Sequence, residues 1–195
     1  MDTQNIEIKT KIFSGDLNNC DQLKIVFSKS VGIICDKNVF ENSIKIRNFI
    51  KDLKKSIKVL FIVYDYKFEP SYQYLDRLME KIKSSENYDQ IECWIGIGGG
   101  SAMDTAKGIA FLSKNPGPSI GFKGFPTNIN KPLPTVAVPT TTGTGSEIVY
   151  NASFIDEASN VKMGINDINN YPALAILDPE LVVGAPLGVL ASSGI

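Results

Sequence analysis

The sequence predicts an α/β fold, a Rossmann-like parallel sheet with helices on both faces and a β-hairpin excursion. Three observations lead to this class. Short apolar segments alternate with segments of helical periodicity, the linking helices are long enough for right-handed crossovers, and a glycine-rich turn follows one of the strands. The 195 residues, of which 43% are hydrophobic, are enough for one domain with a proper core.

Five apolar segments are predicted as strands, and they are residues 31–35, 59–64, 91–97, 135–138 and 173–177. Three helices are expected between them, over 39–53, from Pro70 through Ile82, and over 101–112. Residues 148–155 and 161–165 flank a polar turn and predict the hairpin. The segment 187–195 begins like a helix and then ends.

Composition excludes several classes of function. The net charge of −1 gives no electrostatic case for binding nucleic acid or an anionic membrane. No apolar run approaches the roughly 20 residues that span a bilayer, and residues 1–11 lack the apolar centre of a secretory signal. We therefore expect a cytoplasmic protein in which Cys20, Cys35 and Cys93 are reduced thiols.

The sequence contains no histidine. Metal sites of the usual zinc or iron kind need imidazole or thiolate ligands, and histidine is also the commonest general base. We accordingly predict no metal ligand and no catalytic residue within this chain.

The glycine-rich turn, residues 98–101, lies where a predicted strand becomes a helix. Glycines let a ligand approach the backbone amides, and the start of a helix suits a phosphate. We expect Ser101 to be the N-cap and Asp104 to complete a variant of the capping box. The alternative is a tight turn without a ligand. The turn is not a P-loop, because Lys107 lies six residues beyond Ser101.

Two further polar features follow strands. Asp36 could accept the hydroxyls of an adenosine ribose, or it could simply cap a helix. The hydroxyl-rich segment 139–147 could contact a ligand at the sheet edge, or it could be a capping turn. On the hairpin, Lys162 could reach a ribose or a phosphate, or it could be a solvated surface charge.

Together these stretches resemble the iron-containing alcohol dehydrogenase family. The resemblance runs from Phe13 onward and rests on GGGSAMDTAK (98–107), PTTTGTGSE (139–147), CDKNV (35–39) and the spaced run Lys162, Asp167, Pro172 and 177–179. It implies an NAD(P)-dependent alcohol dehydrogenase or aldehyde reductase that transfers a hydride with the help of a metal. Relatives resembling glycerol dehydrogenase or dehydroquinate synthase, and a non-catalytic nucleotide-binding module, remain the alternatives.

The resemblance implies roles for particular residues. The glycine turn would hold the pyrophosphate, and Asp36 would accept the adenosine ribose, which favours NAD over NADP because a 2′-phosphate would meet a like charge. Ser71 departs from the asparagine typical of the family. The residues implied to bind the cofactor are Asp36, Gly98, Gly99, Gly100, Ser101, Asp104, Thr140, Thr141, Thr144, Ser146, Asn151, Lys162 and Leu177.

Within that set the residues divide by the part of the cofactor they would face. Thr140, Thr141, Thr144 and Ser146 would surround its adenine and nicotinamide ends. Asn151 and Lys162 would face the nicotinamide ribose. Leu177 would form the apolar wall near the cofactor.

The resemblance also implies a missing part. Residues 190–195 resemble the segment that the family's first metal-ligating aspartate follows, with histidines on a second, all-helical domain. We therefore expect residues 1–195 to be the dinucleotide-binding domain without that metal-binding domain, and to be inactive alone. The parent enzyme would carry iron or zinc, act on a small alcohol or aldehyde, and form a homo-oligomer.

Overall fold

The computed structural model describes residues 8–65, 68–185, 188, 189 and 191. Its strands form a six-stranded parallel sheet and a separate two-stranded antiparallel hairpin. The strands are β1 (Lys11–Ser14), β2 (Ser30–Asp36), β3 (Lys58–Tyr64), β4 (Cys93–Gly98), β5 (Thr135–Pro139), β6 (Asn151–Asp156), β7 (Val161–Asn166) and β8 (Leu174–Leu177). The helices are α1 (Leu23–Val26), α2 (Lys37–Asn42), α3 (Ile44–Ser56), α4 (Tyr72–Lys83), α5 (Gly100–Leu112) and α6 (Pro179–Val183).

The order of strands across the sheet is β1-β8-β5-β4-β2-β3. From β2 the chain first runs outward to β3, and then returns to the other side of β2 through β4, β5 and β8. The winding direction therefore reverses between β2 and β4. Ligands of open α/β sheets bind outside the carboxyl ends of the strands at such a switch point. The first and third predicted strands, β2 and β4, both end at this switch point, and the glycine turn follows β4.

Helices cover both faces of the sheet, as predicted. One core lies under α1, α3 and α6 and includes Ile33 and Ile95, which are fully buried. The other lies under α4, α5 and the hairpin and includes Ile34 and Trp94. Neighbouring residues of one strand enter opposite cores because side chains alternate across a strand, and burial on both faces accounts for the continuous apolar runs in the sequence.

The predicted elements are present, but β1, α1 and α6 were not predicted, and two of the predicted helices differ in their bounds. The five predicted strands and the hairpin are present, but the short edge strand β1 was missed because its four residues carry little apolar signal. The predicted helix 39–53 is two helices, since Ser43 ends α2 and caps α3 by accepting from the Ile46 amide. Ser71 caps α4, so Pro70 precedes that helix instead of lying in its first turn. Most of the segment 187–195 lies outside the described residues.

The three cysteines are buried and unpaired, and burial raises the pKa of the Cys35 thiol to about 12. The absence of a disulfide among them agrees with the reduced thiols predicted from the sequence, and thiols in such apolar surroundings stay protonated. No helix of the described chain is long and apolar enough to cross a membrane.

Asp156, at the end of β6, stabilises the hairpin in a pH-dependent way. Its carboxylate accepts hydrogen bonds from the Ser159 hydroxyl (2.7 Å) and from the Lys123 ammonium (2.9 Å), which lower its pKa from 3.8 to about 2. A lowered pKa in the folded state stabilises the protein above the unfolded value, and this contribution is lost as the pH falls from 3.8 to about 2.

We therefore expect acidification through this range to lower the free energy of unfolding, and to do so less in Asp156→Asn than in the wild type. Urea unfolding at about pH 5 and about pH 2.5 measures the difference. An unchanged pH dependence in Asp156→Asn would show that the carboxylate contributes nothing.

Candidate functional site

The switch point brings the ends of β2 and β4 into contact. Asp36 ends β2, and Gly98 ends β4 with a φ of +145°. A Cβ atom on Gly98 would lie 2.9 Å from the Cβ of Asp36 and 2.9 Å from the Cβ of Ala102. Only glycine combines this backbone conformation with so close an approach of two neighbouring segments.

The start of α5 at this point differs from the starts of its neighbours. α2, α3, α4 and α6 are each capped by a side chain that accepts a backbone N–H. The N-cap of α5 is Gly99, which has no side chain to offer. The amides of the first turn of a 13-residue helix therefore point toward the switch point without a side-chain cap. Such an end attracts an anion through its N–H groups and its dipole.

The predicted capping by Ser101 and Asp104 is wrong. Ser101 lies one residue inside the helix, because the third glycine already has helical geometry. Asp104 turns away from the helix start: its carboxylate accepts from the Ser146 hydroxyl and from the Ser153 amide (3.1 Å). Their assignment to the cofactor site remains a prediction.

The segment after β5 packs against the glycine turn. The Thr140 amide donates to the Gly98 carbonyl at 3.0 Å. A Cβ atom on Gly99 would lie 3.3 Å from Thr141 Oγ1, and one on Gly100 would lie 3.4 Å from Thr144 Cβ. The Thr141 hydroxyl is buried and has no partner among the described residues. A buried unpaired hydroxyl calls for an explanation, and a polar ligand held between the two segments would supply one.

Asp36 caps a helix, which was one of its two predicted possibilities, and the ribose contact remains a prediction. Its Oδ1 accepts from the Val39 amide at 3.2 Å, so the residue caps α2. The side chain is only partly buried at the switch point, and a carboxylate has four acceptor positions, of which a cap uses one. Capping therefore leaves room for the ribose contact that the resemblance implies.

The residues on the hairpin are already engaged with protein partners. Lys162 Nζ lies 2.6 Å from Glu69 Oε1 in an ion pair whose side chains are half exposed. The Asn151 amide donates to Asn166 Oδ1 at 2.7 Å and its oxygen accepts from the Ser153 hydroxyl. A role in holding the cofactor would require Lys162 to exchange a partner that is accessible to water.

Leu177 is half-buried at the end of β8, where its carbonyl accepts from the Gly15 amide. The next residue, Asp178, is buried, caps α6 and pairs with Lys45 at 2.5 Å. This pair ties the end of β8 to the first turn of α3. Asp178 thus supports the wall that Leu177 was predicted to form.

Lys107 was not predicted as a site residue, although it is the most unusual side chain near the site. It is 1% exposed, and its ammonium contacts Ser146 Oγ (2.9 Å) and the Asn151 carbonyl (2.9 Å). The sequence held one signal for it: Asp104 lies three residues earlier on the same helix. Its burial depends on the packing of three segments and could not be inferred from spacing.

A metal site is not evident in this part of the protein. Among the residues that the structure describes, no three aspartate, glutamate or cysteine side chains are grouped as metal ligands would be. A cleft of about 630 Å³ lies at the amino-terminal ends of β2 and β3 and is lined by Lys29, Lys54 and Lys58. This cleft is at the end of the strands opposite to the switch point. Lys54 lies in the last turn of α3, where a cation interacts favourably with the helix dipole.

The fold defines a doubly wound α/β domain of the Rossmann-like class. A candidate ligand site, here called the cradle, lies at its switch point between the glycine turn 98–101 and the segment 139–147. The family model described as iron-containing alcohol dehydrogenase matches residues 9–179. The chain belongs to the iron-containing alcohol dehydrogenase family.

Curated relatives agree with this assignment. The chain is 32% identical over 174 residues to alcohol dehydrogenase 4 of Schizosaccharomyces pombe, an alignment that covers 89% of this chain and 40% of that protein. It is 42% identical over 110 residues to the NAD-dependent methanol dehydrogenase of Bacillus methanolicus, covering 56% of this chain and 28% of the relative. The chain therefore spans less than half the length of these relatives.

Solved structures show the same fold. NADH-dependent butanol dehydrogenase A from Thermotoga maritima superposes with a TM-score of 0.84 at 23% identity, covering 99% of this chain and 48% of that one. Sulfoacetaldehyde reductase from Bifidobacterium kashiwanohense, solved in complex with NAD+, gives 0.83 at 24% identity, covering 100% and 51%. The described fold thus corresponds to about half of each solved chain.

Proposed function

We propose that this chain is the cofactor-binding part of an NAD-dependent alcohol dehydrogenase or aldehyde reductase. The observation that carries the proposal is the start of α5, which has no side-chain cap, faces the switch point and lies beside a carboxylate at the end of β2. A pyrophosphate would accept hydrogen bonds from the amides at the start of α5, and a ribose would donate its hydroxyls to Asp36. The family membership supports the same assignment.

The residues present fit a dinucleotide. Gly99 and Gly100 face Thr141 and Thr144 across the cradle, and the buried Thr141 hydroxyl has no partner among the described residues. Thr140 and Thr144 would extend the hydroxyl-lined side, whereas the Ser146 hydroxyl is engaged with Lys107 and Asp104 behind it. Asn151 and Lys162 would face the nicotinamide ribose, and Leu177 would form the apolar wall. The bound cofactor would accept or donate the hydride, whereas this chain's residues would bind and orient it.

The alcohol or aldehyde and the metal would be handled outside the described residues, which offer no grouped metal ligands. The 174 residues aligned with alcohol dehydrogenase 4 of Schizosaccharomyces pombe are 40% of that protein. The rest of that relative is long enough for a second domain. We accordingly expect the 195-residue chain to bind NADH and to show no metal-dependent aldehyde reduction by itself. Cytoplasmic localisation and homo-oligomeric assembly of the parent stay predictions from the sequence.

Calorimetric titration of the purified chain with NADH and NADPH tests the proposal. We expect saturable binding of NADH and weaker binding of NADPH, because the 2′-phosphate would approach the Asp36 carboxylate. A folded chain that binds neither cofactor would refute the proposed cofactor site.

Asp36→Asn is expected to narrow the preference for NADH over NADPH by about tenfold, since it removes the negative charge that repels the 2′-phosphate. Asparagine caps a helix as well as aspartate does, so α2 should be unaffected. The ratio of the two dissociation constants is the measurement.

A matched control is Asp52→Asn, which removes an exposed carboxylate near the end of α3, the end that leads to the start of β3 and not to the switch point. The control should leave the ratio unchanged. An equal change in both variants would mean that Asp36 acts only through the overall charge of the domain.

A further inference from the structure

The ammonium of Lys107 is held by three acceptors from three segments of the chain. They are Ser146 Oγ on the segment after β5, the Asn151 carbonyl at the start of β6, and Asp104 Oδ1 on α5 itself, at 2.9, 2.9 and 3.4 Å. A lysine ammonium has three N–H donors, and each finds one acceptor here. The side chain is 1% exposed, so water does not compete for these contacts.

Asp104 and Ser146 complete the arrangement. The Ser146 hydroxyl accepts from Lys107 and donates to Asp104 Oδ1. The other carboxylate oxygen of Asp104 accepts from the Ser153 amide on β6 at 3.1 Å. Lys107, Asp104 and Ser146 therefore form a closed set of contacts, here called the buried triad. It joins α5 and the hairpin to the hydroxyl-rich segment 139–147, here called the threonine segment.

The position of the buried triad links it to the candidate cofactor site. Asp104 lies one turn after the glycine turn on the same helix, and Ser146 lies near the end of the threonine segment. These two segments form the opposite sides of the cradle. The distance between the glycine turn and the threonine segment depends on the contacts that join α5 to the threonine segment. The buried triad supplies such contacts.

The cost of the arrangement argues against a role in folding alone. Burial lowers the pKa of Lys107, since the interior disfavours the ammonium, although Asp104 opposes this effect. Buried ion pairs contribute little net stability compared with well-packed apolar side chains. Their best-attested benefit is a unique geometry. An apolar residue at position 107 could fill this core but could not fix the threonine segment through hydrogen bonds.

From these contacts we infer that Lys107 is a positioning residue for cofactor binding, acting through Ser146 and Asp104 to hold the threonine segment against the glycine turn. The inference rests on the proposed function. Lys107 does not itself contact the cofactor, because its three donors are all directed to protein acceptors.

Two changes to the buried triad test this role. The double variant Lys107→Met/Asp104→Asn removes both charges together and so leaves no unpaired buried ion. Ser146→Ala removes the hydroxyl that joins them. Both are expected to weaken NADH binding about tenfold, the effect of one lost hydrogen bond to a charged group. Hydrogen exchange of the free protein should become faster at the amides of residues 140–153.

Ser119→Ala is the matched control. Its hydroxyl is equally buried and donates to the Tyr72 carbonyl at 3.0 Å, away from the cradle. It should change neither NADH affinity nor exchange at 140–153. Ser146→Thr keeps the hydroxyl and should bind NADH like the wild type, a rescue that a role in core packing alone does not predict.

The outcomes separate this inference from the proposed function. Faster exchange at 140–153 with unchanged NADH affinity would overturn the inference, because the buried triad would then serve folding only. Unchanged exchange would overturn it as well. If the wild-type chain bound no NADH, the proposed function would fail. Faster exchange confined to residues 140–153 in the triad variants would still show that the buried triad keeps the threonine segment in place.

Discussion

Gly99→Asp should abolish measurable NADH binding while leaving the domain folded. The substitution puts a carboxylate where the pyrophosphate of the cofactor would lie, and the two negative charges would repel each other in a partly buried cradle. We expect the dissociation constant to rise by at least about 100-fold, or about 2.7 kcal/mol. Titration calorimetry with NADH measures the loss.

The folded state should tolerate this change. Gly99 has a φ of −77°, which any residue adopts. A Cβ atom would lie 3.3 Å from Thr141 Oγ1, a hydroxyl that can rotate aside. Aspartate is also among the preferred N-cap residues and would satisfy amides of α5 that glycine leaves open. The thermal unfolding midpoint should therefore stay the same or rise as the cofactor affinity falls.

Gly121→Asp is the matched control, because a Cβ atom on this exposed glycine would meet nothing within 4 Å. It introduces the same charge elsewhere and should bind NADH normally. Gly99→Asn distinguishes the effect of the negative charge from the effect of a side chain at the start of α5. Asparagine caps α5 without a negative charge, so it should weaken NADH binding less than aspartate does. Normal NADH binding by Gly99→Asp would place the pyrophosphate somewhere other than the start of α5.

Gly98→Ala should destabilise the fold by about 3 kcal/mol, through overpacking and an unfavourable backbone conformation. The φ of +145° disfavours any side chain. The added methyl group would also lie 2.9 Å from the Cβ atoms of Asp36 and Ala102, which the backbone of β2 and α5 holds in place. Chemical denaturation of the wild type and the variant gives the difference in the free energy of unfolding.

Gly184→Ala provides the comparison for this second variant. Gly184 follows α6 with a φ of −79° and open space around its Cβ position, so alanine should be neutral or slightly stabilising there. If Gly98→Ala were equally neutral, the ends of β2 and β4 would have to be able to move apart. The requirement for glycine at the end of β4 would then have no basis in packing.

Much of the fold was predictable because the local signals agreed with one another. The apolar runs of β2, β4 and β5 are buried on both faces, which is the situation that produces such runs. The break between α2 and α3 was missed, since the apolar spacing continues through Ser43 and only its capping bond ends one helix and begins the next. β1 was missed because it has only four residues, two of them polar, and its extended conformation depends on pairing with β8.

The candidate site was predictable in its residues and less so in their roles. Glycines and hydroxyls at strand ends indicated the cradle, and the sheet order brings those ends together. The capping assigned to Ser101 and Asp104 was wrong, because hydrogen bonds to Ser146 and Ser153 on distant segments decide where the Asp104 carboxylate points. Lys162 likewise has a partner, Glu69, 93 residues away.

The sequence by itself determined the class of sheet, the family and the segments that form the cradle. These follow from periodicity, glycine placement and motif wording, which are properties of short stretches of chain. Only the tertiary structure decided that the winding reverses between β2 and β4, that α5 lacks a side-chain cap, and that Lys107 is buried. Each of these depends on contacts between segments far apart in sequence, for which local patterns carry no information.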